Sequence, residues 1–265
     1  MCLHTAVPLP LQDERCPSTA WDQLDFDQPW LEPIRTGGQA VCQGVREGMS
    51  VAQALGQGVP AGGVQFVPQS ALPGGEAYEA FIRRTGQVPT RDNLHDLFNG
   101  LVWQTFPQSK SQLNCLHHEE ISANGVTATR GPVRDAATLF DENGALLQAP
   151  EPLWQALLVR DWHRLFVTLR PLWQQARLTL FGHALMEQLV NPRKNITAHV
   201  FIEQFAIDKY MDLDQMLTSK LSAQRLAAKP FAPLPVLGIP GWWAANTDPI
   251  FYADSKVFRP LRQVV

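Results

Sequence analysis

The stretch from Asp92 to Asn124 constrains this fold more than any other part of the chain. Apolar residues at 94, 97, 98, 101 and 102, with Thr105 a turn further on, recur with the period of a half-buried helix, and Thr90 or Asp92 can cap its start. Pro107 then restarts a helix at its first turn. Residues 108–123 make this second helix, with Leu113, Leu116 and Ile121 inward, Lys110, His117, Glu119 and Glu120 largely outward, and Asn124-Gly125 as its end. Such a helix pair needs apolar partners. A chain of 265 residues that is 45% hydrophobic and 18% charged supplies them without disulfide staples.

The net charge of -3 carries no whole-protein attraction to nucleic acid or anionic lipid, so no nucleic-acid partner is expected. Cysteines 2, 16, 42 and 115 form no Cys-x-x-Cys pair and read as reduced thiols. The amino terminus lacks the basic start and apolar core of a signal peptide, which makes the expected location cytoplasmic. The most apolar window, Leu178 to Met186, is about half the ~20 residues a membrane span needs, so no span is expected.

Along the chain, residues 1–30 read as a polar arm anchored by Trp21 and Trp30. Two short helices parted near Gly48 follow, then a strand at Val64 to Val67 and a helical turn from Tyr78. Asn143-Gly144 between two apolar runs predicts a hairpin over 138–147. Helices resume at Pro152 and near Trp173, while 177–190 fits strand then helix as well as one helix. Ile196 to Ile202 reads as a strand, Asp212 to Ala228 as one amphipathic helix, and the tail from Pro230 as a Pro/Trp-rich wrap in turns. The expected fold is therefore α+β, mainly helical, with a small sheet that includes a mid-chain β-hairpin. Its expected division is an arm (1–30), a single domain (31–229) and a wrap packed on that domain (230–265).

Three polar clusters interrupt apolar segments. On the first helix Arg91, Asp92, His95, Asp96 and Asn99 bring carboxylate, imidazole and amide to one face, a set suited to a divalent metal or to a general base. His183 and Glu187 are four apart, so on a helix they touch inside an apolar run, where a polar pair must be satisfied. His199 offers a third imidazole, with Lys194 ahead of its strand for an anionic substrate group. Asp141 and Glu142, at the presumed hairpin, belong in a turn for backbone reasons alone. The competing interpretation makes these histidines satisfied core and cap residues of a binding or assembly protein. No phosphate-binding Gly-rich loop, dinucleotide fingerprint, Gly-x-Ser-x-Gly elbow or His-Glu-x-x-His pattern occurs.

Five phrases carry a resemblance: Val88-Pro-Thr-Arg-Asp-Asn-Leu-His-Asp-Leu-Phe-Asn-Gly-Leu-Val-Trp, Arg134-Asp-Ala-Ala-Thr-Leu-Phe-Asp-Glu-Asn-Gly, Leu180-Phe-Gly-His-Ala-Leu-Met-Glu, Ile196-Thr-Ala-His and Pro235-Val-Leu-Gly-Ile-Pro-Gly-Trp-Trp. From about residue 30 onward the chain resembles the bacterial family called domain of unknown function 3025. The resemblance implies a bacterial protein of one domain and leaves activity, substrate and cofactor open. The residues themselves point to a metal-dependent hydrolase of a small or phosphorylated substrate, with His95, His183, Glu187 and His199 as metal ligands. Asp92, Asp96, Asn99, Arg91 and Lys194 complete that expected site around His95, and the expected cofactor is a divalent metal ion. Oligomeric state is not legible.

Overall fold

The computed structural model describes residues 21–60, 62–124, 131–207 and 212–261. Most of the predicted arm, and Gly125 of the predicted helix stop, lie outside these. The architecture is α+β and mainly helical, with one two-stranded and one four-stranded sheet.

After a 3-10 turn at Pro29–Ile34, helices α1 (Arg35–Arg46) and α2 (Val51–Gly56) lead to strand β1 (Gln65–Pro68). Helix α3 (Tyr78–Thr85) and strand β2 (Gln87–Thr90) follow, and β1 and β2 pair in parallel. Next come the two helices that the periodicity predicts, α4 (Leu94–Thr105) and α5 (Pro107–Asn124). Asn93 caps α4 through its side chain, which accepts from the Asp96 amide at 2.8 Å. The amino end of α5 is capped from a distance: Asp214, buried, accepts from the amides of Gln108 and Ser109, both at 2.8 Å.

The predicted hairpin does not form. Residues Pro132–Asn143 are a helix, α6, and Gly144 begins strand β3 (Gly144–Gln148) with no intervening loop. Val133, Ala136, Ala137 and Phe140 are buried at helical spacing, so a buried apolar stripe outweighs the turn preference of Asn-Gly. Helix α7 (Glu151–Leu158), strand β4 (Arg177–Leu180) and helix α8 (His183–Gln188) resolve the ambiguous stretch as strand then helix. Strand β5 (Thr197–Phe201) precedes α9 (Leu213–Lys220) and α10 (Ala223–Ala227), where the sequence suggests one helix. Ser222 is extended and accepts from the Arg225 amide, which ends one helix and caps another. The wrap opens with strand β6 (Phe231–Pro235), not a turn, and its prolines are tolerated because it is an edge strand in the order β4-β3-β5-β6. In that sheet β3 runs antiparallel to β4 and parallel to β5, and β5 runs antiparallel to β6.

One cluster of buried apolar residues extends from Trp21 to Phe258. Phe140 stacks on Phe181 at 4.7 Å between centroids, joining α6 to the segment before α8. The wrap is tied down by polar bonds as well. Buried Asn246 donates to the carbonyls of Leu237 and Ile239 and accepts from Arg170, and Trp242 packs on Trp30 at 5.9 Å. Among the described residues no helix is long and apolar enough to cross a membrane.

Candidate metal centre

Three helices deliver side chains to one cleft of about 400 Å³, which α3 and α5 close from the other side. Helix α4 buries Leu97, Phe98, Leu101 and Val102, and this burial leaves His95, Asp96 and Asn99 on the cleft wall. At the far side Phe181 and Gly182 both donate their amides to the Gly144 carbonyl, at 2.9 and 2.8 Å. A Cβ on Gly182 would lie 2.5 Å from the Asn143 Cα and the Glu142 carbonyl. Only glycine lets the start of α8 press so closely on the end of α6. That approach sets His183 against Asp141 and Glu142.

The two imidazoles meet edge to face with centroids 4.5 Å apart, and their Nε2 atoms are separated by 3.0 Å. Each ring turns its other nitrogen toward a carboxylate. His95 Nδ1 lies 2.9 Å from Glu187 Oε2, whereas His183 Nδ1 lies 3.8 Å from Asp141 Oδ2, beyond hydrogen-bond reach. Glu142 Oε2 stands 3.5 Å from His183 Nε2. One ligand atom from each of His95, Glu142 and His183 falls within 4.8 Å of the others.

Two ion pairs stand beside this trio. Buried Lys110 donates to Asp141 Oδ1 at 2.5 Å and to Asn99 Oδ1 at 2.8 Å. Asn99 in turn donates to the Tyr78 hydroxyl, and burial drives that phenol far above its ordinary value. Arg91 holds Asp96 through its guanidinium and its backbone amide. The hydrogen bond to Glu187 raises His95 above the usual imidazole range, whereas burial lowers His183 to about 4. Burial pushes the Asp141 carboxyl up, but Lys110 and His183 outweigh it and hold the group below its ordinary value. Burial and the neighbouring Asp141 charge raise Glu142.

These shifts give a pH dependence for the metal-free protein. The His183 value in the folded state lies below the unfolded value of about 6.5, so acidification protonates the unfolded chain first and stability falls. The expected loss between pH 7 and pH 4.5 is about 2–3 kcal/mol, complete only below about pH 4. His95 works in the opposite sense, but its side chain is 35% exposed and its contribution is correspondingly screened. Urea unfolding of chelator-treated protein at the two pH values, beside His183→Asn, measures this: the variant's pH dependence is expected to be flatter by that amount.

The structure thus gathers His95, Asp96, Asn99, Arg91 and His183 in the cleft wall, with Glu187 bonded to His95 at its edge. Glu187 reaches across to His95 instead of pairing along its own helix with His183. Three expected participants lie elsewhere. Asp92 accepts from the Val51 amide at 2.7 Å and so caps α2. Lys194 pairs with Asp254 at 3.2 Å and lies 4.4 Å from the centroid of Phe251, which fastens the wrap. His199, on the β5 face that carries Thr197 and Phe201, is edge-on to Phe231 and does not line the cleft. The participants that sequence reasoning set aside are Glu142, Asp141, Lys110 and His117; the last two are buried although an outward orientation is expected.

With this geometry in place, the family can be stated. The chain belongs to the family described as protein of unknown function, DUF3025, whose model matches residues 64–262 and so takes in every residue of the centre. No curated protein and no solved structure matches the chain.

Proposed function

We propose that this protein is a metal-dependent hydrolase of a small substrate, acting in the bacterial cytoplasm, with His95, Glu142 and His183 as the ligands of a divalent ion. One observation carries the reading: ligand atoms of His95 and Glu142 stand 3.0 and 3.5 Å from His183 Nε2, and one atom from each of the three residues lies within 4.8 Å of the others. Tetrahedral ligands at ordinary zinc distances stand about 3.3 Å apart. Support comes from the next layer outward, since an imidazole ligand usually bonds its second nitrogen to a carboxylate, as His95 does with Glu187. Two imidazoles and one carboxylate would hold a divalent ion with a position left for water, and such an ion would supply a water acidic enough to attack near neutral pH.

In the hydrolytic step the water oxygen bonds to the electrophilic centre, the bond to the leaving group breaks, and a water proton passes to the leaving atom. Elemental analysis of protein purified without added metal is expected to find about one ion per chain. His183→Ala and Glu142→Gln should each bring this close to zero while the far-ultraviolet circular dichroism is kept. Less than about 0.2 ion per chain, with no gain in stability on adding zinc or manganese, would refute the reading, because a ligand of the folded state must stabilise it.

A further inference from the structure

We infer that the protein binds a small phosphate ester at a second site, with the phosphate between Arg160, Lys256 and Arg259 in a cavity of about 370 Å³. No residue of this cavity lines the metal cleft, and the inference stands apart from the metal reading.

The first argument is charge. Three cations and no carboxylate line the cavity, in a chain whose net charge is -3. Among the described residues none of the three forms an ion pair. The carboxylates nearest in the chain are engaged. Asp254, on which Lys256 acts electrostatically, pairs with Lys194 at 3.2 Å and accepts from the Lys256 amide, and Asp161 accepts from the Arg164 amide. Half-buried Arg160 thus lacks the counter-charge that a cation partly withdrawn from water usually finds. A phosphate monoester carries nearly two negative charges at pH 7 and offers oxygens that guanidinium groups grip in pairs, whereas a carboxylate balances one cation of the three.

The second argument is the backbone. Helix α7 closes with the Arg160 amide donating to the Leu157 carbonyl at 3.0 Å and the Asp161 amide to the Ala156 carbonyl at 2.9 Å. This turn holds residue 160 in the left-handed region, at φ 53°, where glycine is the residue of least cost. Arginine is the strained choice there, and its side chain lines the cavity. The walls are tied to each other before any ligand arrives. Trp162 donates its indole N–H to the Arg259 carbonyl at 2.8 Å, and Arg259 Nε donates to the Lys256 carbonyl at 2.9 Å, which leaves the terminal guanidinium nitrogens of Arg259 for a ligand. Half-buried Pro233 and Val257 give an apolar wall for the organic part of the ester. A nucleic-acid backbone calls for cations in a stripe, whereas three around one cavity suit a single phosphate.

The test is isothermal titration of the full chain, with a chelator present so that no ion in the metal cleft takes the phosphate. Three probes are compared: phenyl phosphate; benzoate, which keeps the ring but carries a single negative charge; and an oligothymidylate. Phenyl phosphate is expected to bind at about one molecule per chain and about tenfold more tightly than either of the others. Arg160→Gly and Lys256→Gln should each weaken it about fivefold or more. Arg160→Gly should not lower the thermal unfolding midpoint, because glycine suits the left-handed turn. Equal binding of phenyl phosphate and benzoate, tightest binding of the oligothymidylate, or phosphate affinity unmoved in both variants overturns the inference. A lowered midpoint for Arg160→Gly also overturns it, since the arginine would then be a packing residue.

Discussion

Asp141→Leu is expected to lower the free energy of unfolding by about 3–5 kcal/mol, toward the lower end because the carboxylate is 26% exposed. Lys110 is the reason. Its side chain is 5% exposed and its ammonium is held by Asp141 and Asn99, so loss of the carboxylate leaves a cation in the interior with one neutral partner. The same substitution removes a negative charge 3.8 Å from His183 Nδ1, so affinity for a divalent ion should fall. Adding Lys110→Met should restore much of the stability but not the affinity. Apolar replacement of a whole buried pair is often neutral, whereas the carboxylate beside His183 stays missing. Guanidinium unfolding of the two single variants and the double variant, with metal titrations on each, separates these effects. A loss under about 1 kcal/mol for Asp141→Leu would mean that Lys110 finds charge compensation elsewhere.

Gly182→Ala is expected to cost at least about 2–3 kcal/mol, a large effect for one methyl group. The new Cβ would sit 2.5 Å from backbone atoms of Glu142 and Asn143, which cannot turn aside as a side chain would. The gap between the start of α8 and the end of α6 must therefore widen. Widening moves His183 away from Glu142, and the doubled hydrogen bond onto the Gly144 carbonyl is strained with it. The variant should show both lower stability and reduced metal content, while an alanine at exposed Gly56, where nothing lies within 4 Å, should show neither. Thermal unfolding and elemental analysis on the three proteins decide the matter.

Much of the helical layer was legible because its apolar residues keep the right period, and α4 and α5 around Pro107 are the clearest cases. The same periodicity holds over Pro132–Asn143, where an Asn-Gly turn signal competes with a buried stripe of valine, alanine and phenylalanine and the stripe prevails. The turn signal puts Asp141 and Glu142 in a turn, whereas the helix carries both into the centre. On α5 the polar residues Lys110, Asn114 and His117 share the spacing of Leu113, so they occupy inward positions where apolar side chains are the usual choice. Polarity alone was used to turn Lys110 and His117 outward, although a polar residue at a core-facing position is itself a sign of a site. Residue type alone makes His199 a candidate ligand. Which face of a strand meets a distant helix depends on sheet pairing, and no local pattern in 196–202 states it.

Strand β6 and the turns after it cover one side of β5 and are joined to the interior by Asn246 and Arg170. During synthesis this segment leaves the ribosome after everything it protects. Until it arrives, β5 presents an open hydrogen-bonding edge beside a phenylalanine-rich surface, the kind of border to which another nascent chain can add. The growing polypeptide thus has its most association-prone interval just before residues 231–235 emerge, and chaperone demand should peak there.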